Sequence, residues 1–136
     1  MKVYYAHSNQ ITNSPDHRKE LKYLREVAFK GADVIDPAYH LKQGQSMDYY
    51  INAAKECEAI VVTEFLGFIG RGTYSLLAKL LKDMPDEVFL MRPNGDDEKY
   101  KFEKIKEIKL NEPSDWAVRY GIIAKSSPIP MPVITG

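Results

Sequence analysis

Two kinds of apolar patterning alternate along this chain. Short unbroken apolar runs are separated by longer stretches in which apolar residues recur every three or four positions. Lys2–Ala6 is aromatic and β-branched and reads as a buried first strand. Ser14-Pro15-Asp16 has the form of a helix start, with Ser14 as cap and Pro15 in the first turn. Leu21, Leu24 and Ala28 follow at helical spacing, and Gly31 closes that helix because glycine tolerates a left-handed cap. Asp33–Ile35 is a second short strand, ended by Asp36-Pro37, and the stretch from Ala38 to Ser46 reads as a loop. Met47, Tyr50, Ile51 and Ala54 then lie on one face of a helix capped by Ser46.

Ala59–Thr63 is the clearest strand, since its uninterrupted apolar run suits a strand covered on both faces of a parallel sheet. Glu64–Gly72 is a glycine-bearing loop and Thr73–Lys82 a leucine-rich, well-buried helix. Glu87–Met91 is a fourth strand, followed by a strong turn at Pro93–Asp97. The pattern predicts a helical turn over Tyr100–Lys104, an edge strand over Ile105–Leu110 and a last helix over Ser114–Ala124. Strand and helix alternate four or five times, which argues for parallel strands joined by right-handed crossovers. The expected fold is therefore α/β: a flavodoxin-like open parallel sheet of about five strands with helices on both faces. One domain spans residues 1–125, and 126–136 form a Pro-rich tail, extended or disordered, with three prolines in eleven residues.

Composition narrows the function classes. A chain of 136 residues, 44% of them hydrophobic, suits one domain with one real core. Nineteen basic residues balance nineteen acidic ones, so bulk charge gives no argument for a nucleic-acid partner or a membrane partner. Cys57 stands alone, which rules out a disulfide within the chain and suits a reducing compartment. The opening residues lack a signal-peptide pattern, and no apolar stretch is long enough for a bilayer; a cytoplasmic protein, or one inside a host cell, is expected.

In such a sheet the loops leaving the strand C-terminal ends converge on one crevice. Those loops hold Ala6, His7 and Ser8, then Asp36, then Glu64 through Thr73, and Arg92. The run Gly67–Tyr74 is the sharpest local feature, because glycines admit close backbone approach and the next helix offers free amides to an anion, with Arg71 beside them. A plain strand-to-helix turn explains the same residues equally well. The run is neither a phosphate-binding Walker loop nor the dinucleotide fingerprint. Ser8 lacks a nucleophile-elbow context, so a serine hydrolase is not expected. His17 and His40 fall in segments read as surface, the three histidines lack a zinc spacing, and Cys57 is read as a packing residue. Neither a metal nor a cofactor is expected.

Tyr4–Ser8, Val34–Pro37, Met47–Tyr50, Cys57–Glu64 and Gly70–Leu81, in that order, resemble the nucleoside 2-deoxyribosyltransferase superfamily, which includes the deoxynucleoside monophosphate N-glycosidases. The resemblance covers roughly residues 1–92. It implies a flavodoxin-like fold, a homodimer or larger homo-oligomer, and a small-molecule nucleoside or nucleotide as partner. It implies sugar or phosphate contacts at Ala6-His7-Ser8, an orienting carboxylate near Asp48, and a glycine loop leading to a helix with a nucleophilic Glu. Residues near the C-terminus, here Asp115 and Trp116, would complete a neighbour's site.

The chain departs from that pattern at one position. Leu76 stands where the Glu is expected, and no carboxylate lies between Glu64 and Asp83. Leucine can neither attack an anomeric carbon nor stabilise an oxocarbenium charge. Glu64, with Asp48, is then the expected catalytic carboxylate, and Ala6, His7, Ser8, Asp36, Gly70, Arg71, Gly72, Thr73 and Tyr74 the expected substrate contacts. The expected function is transfer or hydrolysis at a nucleoside or nucleotide N-glycosidic bond. The alternatives are a non-catalytic nucleotide-binding or sequestering protein on the same fold, and a partner-binding domain in which the glycine loop is only a turn.

Overall fold

The computed structural model describes residues 1–8, 11–64, 69–94, 99–110 and 122–129, with the side chains of all but residues 71, 106–110 and 122–129. Its strands are β1 (Lys2–Ala6), β2 (Asp33–Ile35), β3 (Ala59–Val62), β4 (Ile69–Gly70), β5 (Val88–Pro93), β6 (Tyr100–Leu110) and β7 (Ile122–Ile129). The helices are α1 (Pro15–Tyr23), which runs on into a wider π turn over Leu24–Ala28, α2 (Pro37–His40), α3 (Met47–Lys55) and α4 (Arg71–Asp83). Among these helices none is long and apolar enough to cross a membrane.

All strands join one sheet in the order β2-β1-β3-β5-β6-β7-β4. The first four are mutually parallel: β1 runs alongside β2 and β3, and β3 alongside β5. This is the expected flavodoxin-like α/β arrangement, and β6, β7 and β4 extend it as antiparallel strands. Period-two alternation explains the continuous apolar runs of β1 and β3. Val3, Tyr5, Ala59 and Val61 face one side, where Leu21, Leu24 and Ala28 of the first helix cover them. Tyr4, Ala6, Ile60 and Val62 face the other, where Ile51 and Ala54 of α3 and Leu76, Leu77 and Leu80 of α4 cover them. Fully burying an aliphatic side chain contributes about 1.5–3 kcal/mol, so both faces are needed to hold the sheet.

Local signals behave as the sequence predicts at several junctions. The Ser14 hydroxyl caps α1 by accepting the His17 N–H at 3.2 Å, with Pro15 opening the helix. Gly31 takes φ +82°, the left-handed region that ends the first helix before β2. Cys57 is buried, donates its thiol to the Ala53 carbonyl at 3.5 Å, and has its pKa pushed up to about 11 by desolvation, as suits a packing residue.

The C-terminal third differs. Tyr100–Lys104 is strand rather than helical turn, paired antiparallel with β5 from Pro93↔Tyr100 to Phe89↔Lys104. Alternation decides this: Tyr100 and Phe102 pack onto the α1-side cluster, while Ile105 is buried in the other. Ile122–Ala124, assigned above to a last helix, lies in β7, as do Ser126–Ile129 of the Pro-rich tail. There β6 supplies a partner ladder, which local propensity cannot anticipate. Asp115 and Trp116, with the rest of the expected last helix before Ile122, lie outside the described residues. Part of Ala38–Ser46 is helix as well, because Asp36 caps α2 by accepting the Ala38 N–H at 3.0 Å and Pro37 opens it.

Candidate functional site

The strand order reverses between β1 and β3, since β2 lies on one side of β1 and β3 on the other. Ligands of open α/β sheets bind outside the strand ends at such a switch point. His7 and Ser8 leave β1 there, and Thr63 and Glu64 leave β3. Thr63 donates its backbone N–H to the Ala6 carbonyl at 3.0 Å, which ties the two exits together.

Beside this point lies a buried polar centre around Asp36. Asp36 Oδ1 accepts from His7 Nε2 at 2.8 Å, and Oδ2 accepts from His17 Nε2 at 2.6 Å. The Asp36 backbone N–H donates to His40 Nδ1 at 2.8 Å. His7, His17 and Asp36 are all buried. Their rings form a column: Tyr39 stacks on His17 with centroids 5.3 Å apart, His17 lies 4.4 Å from His7, and His7 lies 4.7 Å from Tyr5.

The partners of each ring nitrogen fix its proton. His7 Nδ1 faces the Ser8 carbonyl at 3.0 Å and Nε2 faces the Asp36 carboxylate, so both acceptors are satisfied only when both nitrogens carry a proton, the imidazolium form. Burial opposes that charge, but the bonds to Asp36 and Ser8 and the Asp36 charge outweigh it, and the His7 pKa is raised. For Asp36, burial alone would raise the pKa; the bonds from His7 and His17 prevail and lower it. His17 Nδ1 accepts the Asn13 N–H at 2.9 Å, so its proton sits on Nε2.

These three residues bring candidate ligand atoms within 4.8 Å of one another. The hydrogen bonding nonetheless opposes a cation. A metal-bound imidazole turns a protonated second nitrogen toward an acceptor. His7 has such an acceptor, whereas His17 has a donor, Asn13, at that position and a proton on the nitrogen that would have to ligate.

A second pair lies against the first. Tyr5 donates its hydroxyl to Glu20 Oε1 of α1, and Glu20 is buried. Desolvation raises the Glu20 pKa despite the Tyr5 bond and the nearby His7 charge. The Thr63 hydroxyl, close enough to act on the same pair, is the one buried side-chain polar atom among the described residues without a hydrogen bond of good geometry.

Glu64 lies on the other flank. Arg92, from β5, donates Nε to Glu64 Oε1 at 2.9 Å and Nη2 to Oε2 at 3.4 Å, and its Nη1 lies 3.6 Å from Glu103 of β6. The Glu64 bond, chiefly, holds the Arg92 pKa up.

The structure thus gathers His7, Ser8 and Asp36 in one centre, whereas the Glu64 carboxylate is held on Arg92 of β5, on the side of β3 away from β1. Ala6 is a buried strand residue of the core. Asp48 is exposed in the first turn of α3. Gly70 precedes α4 and Arg71, Gly72, Thr73 and Tyr74 form its start, with Tyr74 packed on the core. A Cβ built at Gly70 or Gly72 would meet nothing within 4 Å, so no packing within the described chain demands glycine there. His17, Glu20 and Thr63 were not signalled by the sequence as site residues. His17 is 1% exposed rather than on the surface, because it lies on the helix face turned to the sheet, three residues after the Ser14 cap and three before Glu20. That spacing was the available signal. His40 is exposed but receives the Asp36 N–H. The chain matches no family model, no curated protein and no solved structure.

Proposed function

We propose that the protein binds a nucleoside or nucleotide at the crevice between the ends of β1 and β3 and acts on its N-glycosidic bond. The observation that carries this reading is a carboxylate just beyond the end of β3, Glu64, held in place by Arg92 of the next strand. Cleavage at an anomeric carbon passes through an oxocarbenium-like state that a nearby carboxylate stabilises or attacks. The turn at His7–Ser8, at the end of the neighbouring strand β1, borders the crevice where a sugar or phosphate would sit, and the amides at the start of α4 suit an anion. The motif order shared with the deoxyribosyltransferases supports the same ligand class, and with it a homodimer or larger assembly.

One observation favours a second reading, a nucleotide-binding or sequestering protein without turnover. Leu76 fills the family's Glu position and is buried in the core. Incubation with deoxynucleosides and their monophosphates, followed by chromatography for free base, separates the two. Base release that Glu64→Gln abolishes supports catalysis. Calorimetric nucleotide binding without base release establishes the second reading, and absence of both removes nucleotides as ligands.

A further inference from the structure

Three chain segments meet at one carboxylate. Asp36 holds the turn after β1 through His7, whose other nitrogen bonds the Ser8 carbonyl. It holds the start of α1 through His17, whose other nitrogen receives the Asn13 N–H. It holds α2 through the Ala38 N–H. Ser8 and Asn13 are the two described ends of the β1–α1 connection, and both are tied through imidazoles. Tyr39 of α2 adds a hydroxyl bond to Asn13 Oδ1. The Ser8 carbonyl also accepts the Ile11 N–H at 3.2 Å, and the Ile11 carbonyl accepts the Ser14 N–H at 2.8 Å, so the order propagates to the helix cap.

We propose that Asp36, His7 and His17 form a proton-operated latch: with His7 doubly protonated, the carboxylate ties the ends of the β1–α1 connection to α2, and loss of one His7 proton releases the tie. A neutral His7 has one bare nitrogen. That nitrogen then faces either the Ser8 carbonyl or the Asp36 carboxylate, a lone pair against a lone pair in a buried site, and one of the two bonds is lost. His17 cannot compensate, because Asn13 fixes its proton on Nε2. The groups facing His7 are Asp36 at the end of β2, His17 and Glu20 on α1, and Tyr5 on β1. Asp36 carries the dominant favourable charge, and ionised Glu20 adds to it. The latch shares the His7–Ser8 turn with the proposed ligand crevice but requires no ligand, so its test is read on the free protein and its outcome is independent of base release.

Imidazole ¹⁵N NMR on the full chain between pH 5 and 10, with amide hydrogen exchange at Ile11 and Ser14, tests it. The expected spectrum shows both His7 nitrogens protonated at pH 7 and His17 protonated at Nε2. After correction for intrinsic exchange rates, protection at Ile11 and Ser14 falls roughly tenfold per pH unit between the ordinary histidine value and the His7 midpoint. His7→Gln keeps a donor toward Asp36 but cannot titrate, so its protection lacks the tenfold-per-unit fall above the ordinary histidine value. Should that variant not fold, the wild-type spectrum and protection profile decide. A His7 with a bare nitrogen at pH 7, or protection unchanged through its midpoint, overturns the latch. So does one equivalent of Zn²⁺ displacing both Nε2 protons and raising protection, which would make the centre a metal site.

Discussion

His7 and Asp36, 29 residues apart in sequence, form a buried ion pair at 2.8 Å in which the imidazole donates and the carboxylate accepts. Each shifts the other toward its charged form, and both pay a desolvation cost that the bond outweighs.

Asp36→Asn removes one charge of this pair and strands the other. Its amide can accept from one imidazole but meets the second with a donor. Breaking a buried pair this way costs about 3–5 kcal/mol, to be read by urea unfolding. The pH profile changes as well. The raised His7 pKa contributes stability that is complete below its ordinary value of 6.5 and is lost as pH rises through the folded value. The lowered Asp36 pKa contributes stability complete above 3.8 and lost as pH falls through its folded value. The wild type therefore loses the His7 contribution above that window and the Asp36 contribution below it, whereas Asp36→Asn lacks both limbs. An Asn variant as stable as wild type at pH 6 contradicts the pairing.

Glu20 acts in the opposite sense. Its pKa is raised by desolvation, so the folded state holds its proton more tightly and stability falls as pH climbs from 4.5 through the folded value. Glu20→Gln keeps a carbonyl oxygen to accept the Tyr5 hydroxyl and removes the cost of a buried charge. Expected at pH 8 is a gain in stability, because the buried charge is gone, together with a flatter profile. Thermal melts of both proteins across pH 4–9 measure it.

Much of this architecture was legible in the sequence, for a physical reason. β1 and β3 are covered on both faces, and continuous apolar runs follow directly from that burial. The Ser14-Pro15 and Asp36-Pro37 junctions follow from capping chemistry within a few residues. The antiparallel strands β6 and β7 were harder, because their ladder is set by pairing rather than by local preference. The candidate site divides in the same way. His7, Asp36 and Glu64 follow from strand ends, which topology brings to one edge. His17 and Glu20 reach the site from a helix face, and a helix mostly charged in sequence conceals which of its polar residues turn inward.

Leu76 tests the proposed likeness to deoxyribosyltransferases, which would put a carboxylate at this position. The side chain is 4% exposed and packs with Leu77, Leu80 and the sheet. A carboxylate there would be desolvated with no cation among the residues of that cluster. Leu76→Glu is thus expected to destabilise by several kcal/mol and to restore no base release, while Leu76→Ala costs about 2–5 kcal/mol through the cavity it leaves. Denaturant unfolding reads both, and a folded Leu76→Glu protein with gained glycosidase activity would show instead that the position faces the crevice.

Gly72 separates a ligand-binding start of α4 from a plain turn. It is exposed within the first turn of the helix, and its φ lies outside the left-handed region. An added methyl meets no atom within 4 Å, so Gly72→Ala strains nothing in the described chain. The substitution restricts the unfolded chain and favours the helix, and about 0.4–1 kcal/mol of added stability is expected. If a nucleotide approaches the backbone at this position, the same methyl obstructs it, and affinity falls while the melting temperature rises. Calorimetric titration of a deoxynucleoside monophosphate into wild type and Gly72→Ala, beside their melting curves, makes the comparison. Raised stability with unchanged affinity would leave the glycines as helix-start residues and place the ligand contacts on the His7–Ser8 and Glu64 side of the switch point.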